Sequence, residues 1–77
     1  MLDLNYDDKF DVLYIGFRDR SNSVGDESDE GDVTFRDRLT GAVTGVTIFD
    51  FSDKNRQGML PSLPYGIDYE HDIIPSL

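Results

Sequence analysis

The chain has 77 residues, no cysteine and a formal net charge of −9 at pH 7. This length predicts a single domain, and the missing cysteines exclude disulfides and thiolate metal sites. The few Lys and Arg residues are scattered among acids, which argues against DNA or RNA as a ligand, because phosphate backbones need a basic patch. No apolar run approaches the roughly 20 residues that span a bilayer, and no signal-peptide pattern is present, so we expect a cytoplasmic protein.

The first half of the chain predicts a β-hairpin followed by a long polar connection. Residues 2–6 alternate between apolar and polar side chains, as in a half-buried strand, and the apolar run 12–17 favours a central strand. Residues 7–9 between them are typical of a turn, because Asp side chains bond nearby backbone amides. The connection 18–32 is unusually long for a compact domain, and only a weak strand around Val24 is expected in it.

The middle of the chain predicts a second hairpin. Residues 33–36 alternate as in a strand, and residues 42–49 are the most strongly β-like segment of the chain. The segment 37–41 suits a hairpin loop, because its glycine tolerates a positive φ. Gly45 interrupts the alternation of the following strand. A β-bulge at that point would let the apolar residues on both sides of Gly45 share one face.

The C-terminal part of the chain is less regular. Residues 52–57 predict one helical turn capped by Ser52, which the following glycine and proline end early. Residues 65–69 alternate and predict a short edge strand. We divide the chain into a β-sheet domain over residues 1–52 and a Pro-rich extension over 53–77 that packs on the same domain. The predicted fold is mainly β: a small antiparallel sheet of four or five strands in hairpins, with one short helix after the fourth main strand.

Several short motifs in a fixed order define a family resemblance. They are Tyr6-Asp7, Asp11, Leu13-Tyr14-Ile15, Gly41, Val43, Gly45-Val46, Ile48 and Asp50. Over residues 2–52 their order and spacing resemble the prokaryotic domain-of-unknown-function family 2283. The chain departs from that pattern at Phe51, where the family favours a small residue such as alanine. The resemblance implies a small β-rich fold and no activity, because the family has no established one.

The acidic segment 26–37 is the strongest candidate site in the sequence. At positions 1, 3, 5, 6, 7 and 12 of an EF-hand register stand Asp26, Ser28, Glu30, Gly31, Asp32 and Asp37. Their hard oxygen ligands suit Ca²⁺. However, no helix is predicted on either side, and the aspartate at the last position reaches less far than the usual glutamate. A solvated loop whose charge discourages strand aggregation explains the same residues.

Two further groups of carboxylates carry weaker signals. The segment 68–72 has three acids around His71, which could bind a transition metal or act as a general base. Alternation along a strand would place His71 on the face opposite the acids, so an exposed histidine is the simpler interpretation. Asp7 and Asp11 form a possible acid–base pair, but no nucleophile or oxyanion donor is nearby. Turn and strand-start roles explain them better.

These observations assign no catalytic, cofactor-binding or metal-ligating residue, and we predict that the chain is not an enzyme. The leading hypothesis is a non-enzymatic acidic interaction module that binds a protein partner. Negative charge of this size would attract a basic protein, and general solubility charge explains the same composition. The alternative is a small metal- or ligand-binding protein that uses the loop 26–37. A thin core without disulfides also predicts a homodimer. We expect no nucleic-acid partner and no membrane partner.

Overall fold

The structure, a computed structural model that describes residues 2–77, contains one antiparallel sheet of five strands. The strands are β1 (Asp3–Asp7), β2 (Val12–Gly16), β3 (Ser23–Glu27), β4 (Val33–Asp37) and β5 (Val43–Phe49). Their order across the sheet is β1-β2-β5-β4-β3, so β5 is central and β1 and β3 are the edges. The predicted mainly β fold is confirmed, and the weak segment around Val24 is a complete edge strand. The connection 18–32 is therefore two short loops flanking a strand.

One α-helix, α1 (Phe51–Gln57), follows β5 at the place where the sequence predicts a short helix. Gly58 ends it in the left-handed region at φ 66°, where glycine carries no steric penalty. The prediction that Ser52 caps the helix is wrong. Asp50 is the N-cap residue, also at positive φ and without a side-chain capping bond, and Ser52 lies inside the first turn.

The edge strand predicted at residues 65–69 is also wrong. Tyr65 and Gly66 both have positive φ, which breaks the extended backbone that the alternating pattern requires. The chain then forms a π-helical turn over Tyr69–Ile73 and a 3-10 turn over Ile74–Ser76. The side chain of Asp68 starts the π-helical turn by accepting a hydrogen bond from the Glu70 N–H. Local turn chemistry therefore overrides the strand-like alternation.

The core lies on one face of the sheet. Its buried side chains are Leu13, Ile15 and Phe17 from β2 and the residue after it, Val46 and Ile48 from β5, Phe51 from α1, and Ile73 from the π-helical turn. Leu4 and Tyr6 of the edge strand β1 pack against this cluster. The helix and the C-terminal segment thus cover the same face, and burial of their apolar side chains holds them there.

A β-bulge in β5 confirms the interpretation of Gly45. Phe35 pairs with Gly45 and Arg36 pairs with Val43, so Thr44 is the extra residue. The Thr44 side chain is buried, and its hydroxyl donates to the Phe35 carbonyl at 3.3 Å. The bulge shifts the side-chain alternation by one residue. Val43 and Val46 therefore both contact the core, although they are three positions apart.

Candidate interaction surface

The face of the sheet opposite the core, here called the open face, carries neither α1 nor the C-terminal turns. The strand register places its side chains in three rows across the sheet. They are Asp7–Val12–Phe49, then Asn5–Tyr14–Thr47–Val33–Glu27, and then Asp3–Gly16–Gly45–Phe35–Gly25. Each row begins on the edge strand β1 with an acid or an amide. The other residues are apolar or glycine, except for Thr47 and the terminal Glu27 of the second row. The open face therefore has an apolar centre and polar ends.

Aromatic rings lie flat over the glycines of the third row. A Cβ atom built on Gly45 would lie 2.8 Å from the Tyr14 hydroxyl, and one on Gly25 would lie 3.1 Å from Cε1 of Phe35. Glycine is required at these positions because any side chain would displace the ring above it. The guanidinium carbon of Arg20 lies 4.3 Å from the centre of the Tyr14 ring and 5.2 Å from that of Phe35. Cation–π contact with both rings holds Arg20 against that end of the open face, where it lines a depression with Asp3 and Gly16.

The other end of the open face carries exposed aromatic side chains. Phe10, in the β1–β2 turn, is 66% exposed, and Phe49, at the end of β5, is 42% exposed. With Val12, Tyr14 and the edge residues of β1 they line a shallow depression. We call the set Phe10, Val12 and Phe49 the aromatic patch. It is a group of large apolar side chains at the end of a sheet face that no other element covers.

Asp7, next to this patch, has the turn role that the sequence predicts. Its Oδ1 accepts hydrogen bonds from the backbone N–H groups of Lys9 at 3.0 Å and Phe10 at 3.2 Å. These bonds fix the turn that presents Phe10. A structural role in the turn therefore explains Asp7 without acid–base chemistry.

Asp11 has a role that the sequence does not reveal. It adopts φ 57°, and its carboxylate accepts hydrogen bonds from the Tyr6 hydroxyl at 2.6 Å and the Ser52 hydroxyl at 2.7 Å. It also accepts from the Ser52 backbone N–H at 3.0 Å, so it caps α1 from a position 41 residues earlier. The hydrogen bond from Tyr6, followed by that from Ser52, holds the pKa of Asp11 below its ordinary value. The same bond to Asp11 raises the pKa of Tyr6.

The acidic segment 26–37 is a β-hairpin formed by β3 and β4, and its EF-hand pattern is not assembled. Asp32 is buried and bonds Nζ of Lys54 in α1 at 2.7 Å, while Lys54 also donates to the Glu30 carbonyl at 3.2 Å. Asp37, at the far end of β4, accepts from the N–H groups of Thr40 and Leu39, and these two bonds lower the pKa of Asp37. Within residues 2–77, no group of three or more His, Cys, Asp or Glu side chains is placed to hold a metal ion.

The acidic cluster around His71 reduces to one exposed pair. Nδ1 of His71 lies 2.7 Å from Oδ2 of Asp68, and about four-fifths of the histidine side chain is exposed to solvent. This hydrogen bond raises the pKa of His71 and lowers that of Asp68. A helical turn, rather than a strand, brings the two residues together. The bond closes that turn, and the histidine is exposed as expected.

Comparisons with known proteins give no relative: no family model, curated protein or solved structure matches the chain. The resemblance to family 2283 therefore stays a prediction. Several residues of its motif have structural roles, since Tyr6 bonds Asp11 and Tyr14 lies over Gly45. In the described part of the chain, residues 2–77, no helix has the length and apolar character needed to cross a membrane.

Proposed function

We propose that this protein is a non-enzymatic interaction module that binds a protein partner through its open face. The observation that carries the proposal is the aromatic patch, whose Phe10 and Phe49 are largely exposed on the one sheet face that α1 and the C-terminal turns leave uncovered. Contiguous exposed apolar surface with a polar border is typical of protein interaction sites. Aromatic side chains are also enriched in the central part of such interfaces.

The state of the carboxylates supports a role other than catalysis. Asp11, Asp37 and Asp68 each accept several hydrogen bonds, and those bonds lower their pKa values. A general acid or base works best when its pKa lies near the operating pH, which for a carboxyl group means a raised value. These groups are therefore suited to holding turns and α1 in place. We also assign the protein to the cytoplasm, because a chain without cysteine fits a reducing compartment.

A second copy of the chain is the other partner that the open face could accept. A domain of this size gains only about 3–5 kcal/mol from one core, so burying the aromatic patch in a homodimer would add stability. Repulsion between two chains of charge −9 opposes it. If such a dimer forms, added salt should tighten it by screening that repulsion, and light scattering behind a sizing column would measure the mass. The metal- or ligand-binding alternative draws no support from the hairpin at residues 26–37.

Site-specific photo-crosslinking in the cells that produce the protein tests the proposal. A photoreactive phenylalanine analogue at position 49 should give one dominant crosslinked protein, identified by mass spectrometry. The same analogue at Met59, which is 52% exposed after α1, is the matched control and should not capture that protein. Purified partner should then lose affinity for the Phe49→Ser variant. Equal capture from both positions, or none from position 49, would contradict the proposal.

A further inference from the structure

We infer that the occupant of the open face is a cationic protein segment, with an apolar side chain on the aromatic patch and Lys or Arg side chains against the two edges of the sheet. The inference rests on the proposed function and specifies the chemistry of the partner.

No ion pair within residues 2–77 includes the acids at the edges of the open face. The rows end in Asp3 and Asp7 on β1 and in Glu27 on β3, and all three residues are exposed. The ion pairs within residues 2–77 join other residues: Lys54 with Asp32, Arg56 with Asp53, and His71 with Asp68. Carboxylates left unpaired beside an apolar surface favour a partner that brings positive charge to the same place.

Two cations lie against rings of the open face and form no ion pair with its edge acids. Nζ of Lys9 lies 5.5 Å from the centre of the Phe10 ring. Arg20 lies over Tyr14 and Phe35, where cation–π contact with both rings holds it near the centre of the sheet. A partner that covers the face therefore meets apolar and aromatic side chains, with Arg20 and Lys9 held against the rings, between exposed acids on the two edge strands. The four strand spacings between β1 and β3, at about 4.8 Å each, put those edges about 19 Å apart.

Charge also discriminates among the candidate partners of the open face. A second copy would bring its own Asp3, Asp7 and Glu27 to the interface, and like charges placed together oppose association. A nucleic acid would bring phosphates and meet the same repulsion. A segment with cationic side chains at its two ends and apolar side chains between them, all on the same side, matches both features of the face. About seven extended residues, at about 3.3 Å each, would reach from one edge to the other.

The test uses the full-length, ¹⁵N-labelled chain and three synthetic peptides of that length. The first has Lys at positions 1 and 7 and Leu at positions 3 and 5, which lie on one side of an extended chain, with Ser at the other positions. The second has Ser in place of Leu, and the third has Glu in place of Lys. At physiological ionic strength the Lys/Leu peptide should shift the amide signals of Val12, Thr47 and Phe49. It should bind at least about tenfold more tightly than the Lys/Ser peptide, since apolar anchors supply most of the binding energy in an interface. The Glu/Leu peptide should not bind.

Matched variants distinguish attraction of the peptide to the edge acids from attraction to the total charge of the chain. Asp3→Asn with Glu27→Gln should weaken the Lys/Leu peptide about fivefold, as expected for the loss of two exposed ion pairs. Asp26→Asn with Glu70→Gln changes the total charge equally, but Asp26 lies on the other side of β3 and Glu70 lies in the π-helical turn. That control should change the affinity less than twofold. Phe10→Ser, in an exposed turn, should weaken binding without affecting the fold.

The outcomes distinguish this inference from the proposed function. Equal losses in the two charge variants, tight binding of the Glu/Leu peptide, or absence of shifts on the open face would overturn the cationic occupant. If a crosslinked partner at position 49 proves to be an acidic protein or a second copy, the interaction module stands and the inference about charge fails. If position 49 captures nothing, both fail.

Discussion

The C-terminal segment should be a structural part of the domain, and Ile73→Ala tests this most directly. Ile73 is fully buried, at 0% exposure, and it is the buried side chain of the two C-terminal turns. Replacing it with alanine removes three buried carbon atoms and leaves a cavity in the cluster that includes Leu13 and Ile48. Such substitutions cost about 2–5 kcal/mol. The whole domain has about 3–5 kcal/mol available from its core, so the variant should be near its unfolding midpoint in water.

The neighbouring residue supplies a matched control. Ile74 is 39% exposed and lies outside the core cluster, so Ile74→Ala should cost about 1 kcal/mol or less. Ile73→Val, which removes one methyl group, should cost about 0.5–1.5 kcal/mol. Ile73→Ala and Ile74→Ala therefore differ in burial, whereas Ile73→Ala and Ile73→Val differ in the number of carbon atoms removed.

Urea unfolding followed by far-UV circular dichroism and tyrosine fluorescence measures the series. With a slope of about 1 kcal/mol per molar urea, Ile73→Ala should lower the midpoint by roughly 2–5 M, and Ile74→Ala by roughly 1 M or less. Midpoints for Ile73→Ala and Ile74→Ala that coincide would refute the reasoning. That result would mean that the C-terminal turns do not close the core.

Four further predictions follow from single contacts. Gly45→Ala should cost about 1–3 kcal/mol of unfolding free energy, because the new Cβ would lie 2.8 Å from the Tyr14 hydroxyl and 3.0 Å from the Ile15 carbonyl oxygen. A Tyr14→Ala background should reduce that cost in urea titrations, and an unchanged cost would contradict the role of the ring. Lys54→Met should destabilise by about 3 kcal/mol, because it leaves the buried Asp32 carboxylate without its cation, and adding Asp32→Asn should recover part of the loss. If the double variant is no more stable than Lys54→Met, the pair is not coupled. The His71 ring should titrate above its ordinary value of 6.5 in an NMR pH series, and Asp68→Asn should bring the midpoint back down. The raised pKa means that the pair stabilises the fold fully below about pH 6.5 and that this contribution is lost as the pH rises through the folded-state pKa; a midpoint unaffected by Asp68→Asn would exclude the bond. For Asp11 the pH dependence of the stability has the opposite sign. Because its pKa is lowered, its contribution is present above about pH 4 and is lost as the pH falls through the folded-state pKa. Asp11→Ala should therefore lower the urea midpoint at pH 7 and flatten its decline in acid, and a decline as steep as in the parent protein would argue against the capping role.

Local patterns were sufficient to predict the central strands and hairpins. Alternation and β-branched residues mark β2 and β5, and short-range turn chemistry at Asp7 and Gly41 places the hairpins, because the partners lie within a few residues. Where a competing local preference is equally strong, the pattern fails. Positive φ at Tyr65 and Gly66 broke the strand predicted at residues 65–69.

Contacts between distant residues were not visible in the sequence. Asp11 meets Ser52 across 41 positions and Asp32 meets Lys54 across 22, and no local pattern links either pair. The EF-hand spacing misleads for the same reason. It assumes a loop that folds on itself, whereas strand pairing with β5 holds Asp32 and Asp37 at opposite ends of β4.

The candidate interaction surface depends on both levels. The sequence alone shows that the segment 12–17 and β5 carry large apolar side chains pointing to both sides of the sheet, so one of two faces must be buried first. It cannot show which segments cover that face, because the covering contacts join residues far apart in the chain. In the tertiary structure, Phe51 and Ile73 pack beside Leu13 and Ile48, and this packing determines which face is buried. Phe51 and Ile73 lie in α1 and in the π-helical turn, outside the sheet, and their burial on one face left Phe10 and Phe49 exposed on the other.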